Sequence, residues 1–179
     1  MNRTTATTAI ASVTAILALA ACGDASPRTA TPAAAAAPSL PAGFVTKGAA
    51  TGTNVAAAKA SAQVGQELVI VGRIGGSEDP FVAGRAVFTI VDPALKSCAD
   101  GSDPDHCKTP WDYCCEDREA MKRSTATIEI TDAAGKPLAL AVRGMQGLDP
   151  LATIAVTGTV TERNDAGLLV VRAKRIEVR

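Results

Sequence analysis

The sequence predicts an all-β fold, a small barrel of five to six short strands preceded by one short helix. Three observations carry this expectation. Apolar residues recur with period two over 68–74, 86–91, 126–131, 153–162 and 168–178; turn residues separate these runs at regular spacing; and only the stretch near residue 55 has helical composition.

Asn54 can cap an alanine-rich helix, Val55 to Gln63, which stops before Gly65. Leu68, Ile70, Gly72 and Ile74 then alternate with Val69, Val71 and Arg73, and Ala86, Phe88 and Ile90 alternate with Val87, Thr89 and Val91 after a turn holding Gly75, Gly76 and Pro80. Both faces of these strands are partly apolar, as in a central position or a closed barrel. Further along, Ala126, Ile128 and Ile130 face in against Thr127, Glu129 and Thr131, and Asp132 to Pro137 makes a turn into a shorter partner strand carrying Leu138, Leu140 and Val142. Ile154, Val156, Gly158 and Val160 mark the next strand, and Asn164 to Gly167 turns the chain into Leu168 to Val178, where a change of facing near Ala173 calls for a bulge. Gly72 and Gly158 stand in mid-strand between β-branched residues, where glycine marks a bend or bulge.

The core must be aliphatic, because aromatic residues make up only 3% of the 179, with Phe44, Phe81 and Phe88 as the large pieces. A formal net charge of zero leaves no general footprint for nucleic acid. The basic cluster Arg172, Lys174, Arg175 and Arg179 reads as a solvated edge strand protected by its charge, and the strands offer no row of aromatics for stacking bases, so nucleic acid is not an expected partner.

Residues 1–21 have the form of an export signal: Arg3, then an apolar run with Ile10, Val13, Ile16 and Leu17 that is too short to span a bilayer. Leu19-Ala20-Ala21-Cys22 resembles the lipobox of bacterial lipoproteins. That resemblance implies diacylation of Cys22 and a membrane anchor, with Gly23 leaning toward the outer membrane, facing the periplasm. Residues 22–52, rich in Ala, Pro and Thr, read as a disordered tether, and residues 53–179 as the folded domain. The leading helix, the mid-strand glycines of Val69-Ile70-Val71-Gly72-Arg73-Ile74 and Ala155-Val156-Thr157-Gly158-Thr159-Val160, and the final hairpin resemble exported bacterial OB-fold proteins. The connection from Arg143 to Ala152 departs from that family, being too short for the long helix many members place there.

One stretch, 93–124 between the second and third strands, holds four of the five cysteines and the only His, Trp and Tyr. Cys98, Cys107, Cys114 and Cys115 follow the spacing C-x8-C-x6-C-C. In an exported chain this reads first as two disulfides stapling an insert too small to order itself, with three connectivities open. A Cys114–Cys115 bridge is disfavoured, since adjacent Cα atoms lie about 3.8 Å apart and disulfides want roughly 4.4 to 6.8 Å. The alternative is a Zn or Cu site built from the same cysteines with His106. A thiol-disulfide oxidoreductase is a third reading, against which stands the lack of a C-x-x-C motif; G-x-S-x-G and H-E-x-x-H are absent too. Trp111 and Tyr113 are expected either to cover the bridges as a miniature core or to contact a partner. The function expected is a non-enzymatic, membrane-tethered binding module without a cofactor, whose insert meets an envelope protein or small ligand.

Overall fold

A computed structural model describes residues 39–101 and 107–179. Seven strands form one sheet: β1 (Val45–Lys47), β2 (Thr53–Asn54), β3 (Glu67–Ile74), β4 (Val87–Val91), β5 (Thr125–Glu129), β6 (Thr153–Arg163) and β7 (Leu169–Val178). Helix α1 (Val55–Ser61) precedes β3, and helix α2 (Arg118–Ser124) leads into β5. Pairing runs β3–β4, β4–β5, β5–β7, β7–β6 and β6–β3, which closes a ring of five strands. Within the ring only β5–β7 is parallel. This is the strand order of an OB-like barrel, with the short helix ahead of it and the cysteine-rich insert between its second and third strands, as the sequence predicts.

The alternation dictates the core. Ile70, Ile74, Phe88, Ile90, Ile128, Ile154, Val156, Val160, Leu169, Val171 and Ile176 point inward and are buried, and Val55, Ala58 and Ala62 of the α1 region pack into the same cluster. Bulges occur where facing must change. Thr157 pairs with Arg175 and Gly158 with Ala173, so Lys174 is the extra residue that lets Ala173 and Ile176 both face in. Gly158 is required there by contact as well: a Cβ would sit 2.8 Å from Val171 Cγ1, and at Gly72 one would sit 2.9 Å from Ile90 Cβ.

Three expectations are corrected. The chain folds before residue 53: Leu40 and Val45 are buried, β1 lies parallel to β7, and β2 lies parallel to β3, so residues 40–52 belong to the domain rather than to a tether. Ala50 covers Val71 and Ala155 on the outer face of β3 and β6, which is why both faces of β3 are apolar. The stretch from Leu138 to Val142 is not a strand; a single bridge joins Thr131 to Pro137, and Leu138, Leu140 and Val142 serve instead as core pieces of a loop. Lastly, β7 is flanked on both sides rather than being an edge, and its cations face out, with Lys174 paired to Glu67 and Arg175 to Glu177. The connection from Arg143 to Ala152 holds only the short 3-10 turn Met145–Gly147, in keeping with its length.

Candidate functional site

The β4–β5 insert is seated on the barrel rim by polar contacts that begin at its first residue. Asp92 is 3% exposed and splits its carboxylate, Oδ1 accepting from Ala94 N at 2.9 Å and Oδ2 from Ala56 N at 2.8 Å. It thereby does for α1 what Asn54 does not, since the Asn54 side chain makes no capping bond. The 3-10 turn Cys98–Asp100 follows, closed by Asp100, which accepts from Ser97 N and Oγ at 2.9 and 2.8 Å. Arg73, on β3, reaches Asp100 at 2.5 Å and ties the turn to the barrel. Burial pushes the Asp100 carboxyl up, but the Ser97 and Arg73 bonds outweigh it and hold the group below its usual range.

The second half of the insert leans on the turn after β3. Gly76 N donates to Trp111 O at 2.8 Å, and a Cβ on Gly75 would meet that same oxygen at 2.5 Å and Tyr113 Cε2 at 3.0 Å, so the close approach needs glycine. Trp111 Nε1 donates to Glu78 O at 2.9 Å, while the Arg143 guanidinium lies 5.6 Å from the ring centroid. Trp111 is therefore half-buried and already partnered. Tyr113 is 1% exposed and holds a left-handed backbone (φ 59°). Its burial corrects the expectation of a partner contact: of the two roles foreseen for it, the miniature core is the one its position allows. The Tyr113 hydroxyl has no hydrogen-bond partner among the described residues, and burial raises its pKa.

The cysteines converge above this floor. Cys114 Sγ lies 3.4 Å from Cys98 Sγ and 3.4 Å from Cys107 Sγ, and Cys115 Sγ lies 3.9 Å from Cys114 Sγ. The four thiols are free, and the two bridges expected from the sequence are not formed here, since an S–S bond needs about 2.05 Å. Cys114 is placed between two equivalent neighbours, and a bridge to one would exclude the other. Asp112 joins the group. The three Sγ atoms of Cys98, Cys107 and Cys114 and one Asp112 carboxylate oxygen all lie within 4.8 Å of one another. Cys98 Sγ approaches Asp112 Oδ1 at 3.6 Å, and the carboxylate is held in place by Cys114 N at 2.8 Å and Thr109 Oγ1 at 2.9 Å.

The thiols are not equivalent. Burial pushes Cys98 up, yet hydrogen bonds from Cys114, Cys107 and the Cys115 and Cys114 amides hold it below the usual thiol value. At Cys107 the bond from Cys114 lowers the pKa, but Cys98, burial and the Asp112 charge outweigh it and raise the thiol. Cys114 is pushed far up, first by its bonds to Cys107 and Cys98. Cys98 is thus the most readily ionised of the three, and three sulfurs plus a carboxylate make a donor set for a thiophilic cation.

His106, the nitrogen ligand foreseen from the sequence, and Cys22, the lipidation residue, lie outside the described residues. Two participants were missed by the sequence reading. One is Asp112, absent from the ligands expected from the sequence; the signal for it is the Thr-x-x-Asp-x-Cys spacing, which lets the carboxylate bond Thr109 and the Cys114 amide as a local turn. The other is α2, whose N-cap Asp117 accepts from Ala120 N at 2.9 Å ahead of a run of good helix formers. A separate basic cleft of about 480 Å³, lined by Lys59, Lys122, Arg123 and Arg163 with Glu119 and Asp165, lies between α1, α2 and the β6–β7 turn. Comparison with protein-family models, with curated proteins and with solved structures returns no match.

Proposed function

We propose that this chain is a bacterial lipoprotein, anchored through acylated Cys22 to the periplasmic side of the outer membrane, in which the OB-like barrel is a non-enzymatic scaffold presenting the β4–β5 insert to an envelope protein or small ligand. The lipobox Leu19-Ala20-Ala21-Cys22 supports the anchor. One observation carries the contact role: the insert is tied to the barrel at Asp92, Asp100, Trp111 and Tyr113, while Lys108, Cys114 and Cys115 stay exposed on it. A loop fixed on a rigid rim and open outward is the usual way a β-barrel builds a recognition surface.

Two experiments test the parts separately. Cys22→Ala should move the protein from the membrane to the soluble fraction; retention on the membrane would contradict the anchor. A photo-crosslinking residue at Lys108, in intact cells, should give a discrete adduct that the same residue at Ala166, in the exposed β6–β7 turn, does not give. Equal labelling at the two positions would contradict the contact role.

A further inference from the structure

We infer that Cys98, Cys107, Cys114 and Asp112 form a tetrahedral Zn²⁺ site that locks the insert, an inference that does not depend on the contact role above. Tetrahedral zinc with Zn–S near 2.3 Å and Zn–O near 2.0 Å requires S···S separations of about 3.8 Å and S···O separations of about 3.5 Å. Of the six separations among these four atoms, Cys98–Cys114 and Cys107–Cys114 are each 3.4 Å and Cys98–Asp112 is 3.6 Å, while the other three lie within 4.8 Å. The three shortest lie within a few tenths of an ångström of the zinc values, and the two S···S separations among them are more than 1 Å beyond a disulfide.

The ligands come from three places in the insert: Cys98 from the 3-10 turn, Cys107 from the segment before Thr109, and Asp112 and Cys114 from the turn over Gly75. One ion would therefore join both halves of the insert, a role otherwise left to Arg73, Asp92 and the Trp111 contacts. Asp112 is oriented by the Cys114 amide and the Thr109 hydroxyl, the outer support that ligating carboxylates need. A carboxylate among three sulfurs favours Zn²⁺ over Cu(I), which prefers soft donors alone. Cys115 stands outside the set: among the described residues its sulfur approaches Cys114, at 3.9 Å, and is not part of the four-atom cluster. Binding transfers no electrons; each ligating thiol gives up its proton to solvent as the Zn–S bond forms.

The test uses the full chain carrying Cys22→Ser, reduced, with Zn²⁺ and Co²⁺ as probes. One Zn²⁺ per chain is expected, as is a Co²⁺ complex with thiolate charge-transfer absorption and tetrahedral ligand-field bands. Cys98→Ser, Cys107→Ser and Cys114→Ser should each weaken Zn²⁺ binding by more than about 100-fold, above the cost of losing an outer-shell partner. Asp112→Asn should weaken it at least tenfold while keeping the charge-transfer band, and Cys115→Ser should leave affinity unchanged. Far-ultraviolet circular dichroism of each variant confirms that the barrel persists, so loss of binding is read at the site. Failure of the reduced chain to bind Zn²⁺, an equal loss from Cys115→Ser and Cys114→Ser, or Cu(I) binding indifferent to Asp112→Asn would each overturn the assignment.

Discussion

Asp92 and Tyr113 set opposite terms at the base of the insert. Asp92 satisfies two backbone donors from two segments, so Asp92→Ala should lower the unfolding free energy by about 1–3 kcal/mol, the cost of orphaning buried donors. Asp92→Asn keeps one acceptor oxygen and should recover part of the loss; equal midpoints for the two variants in denaturant titration would contradict the two-oxygen role. Tyr113 buries a hydroxyl without a partner. Tyr113→Phe should therefore leave stability unchanged or raise it by about 1 kcal/mol, whereas Tyr113→Ala should cost about 3–5 kcal/mol by opening a cavity against Gly75. A marked loss in Tyr113→Phe, seen as a lower thermal midpoint, would mean that the hydroxyl is paired after all.

Between elements, Lys59 links α1 to α2, donating from Nζ to the carbonyls of Lys122 and Thr125. Burial lowers its pKa from 10.5 to about 8, and a neutral amine still supplies the two N–H groups its acceptors need. Between pH 8 and 10.5 the unfolded chain then binds the extra proton, so stability should rise with pH across that window. Comparison of denaturation midpoints at pH 7.5 and 10 should show this rise in the natural chain and its loss in Lys59→Met; identical slopes would contradict it. The barrel strands were legible because period-two alternation reports which face is buried, and the bulge at Lys174 was legible because Ala173 and Ile176 break that period. Leu138 to Val142 misled for the same reason: an alternating run can bury its apolar residues as a loop once a neighbouring strand is missing. β1 and β2 are two or three residues long inside an Ala/Pro/Thr-rich stretch, where composition speaks for a tether and only tertiary pairing with β7 and β3 orders the backbone.

In the whole molecule, the closed ring supplies rigidity and leaves chemistry to the insert. Which cysteines meet was illegible in the sequence, because convergence of residues 98, 107 and 114 depends on how Arg73, Gly75 and Gly76 seat two separate turns. The signal-like N-terminus argued for disulfides, whereas the fold brings three sulfurs and a carboxylate oxygen within 4.8 Å of one another. The account rests on these thiols being reduced and gathered on the barrel rim. Intact mass of the protein isolated from its cells, alkylated without reductant after chelation, reads this directly. The account predicts four alkylated cysteines in the insert, with zinc released on chelation; a mass four hydrogens lower with no alkylation would show two disulfides and contradict it.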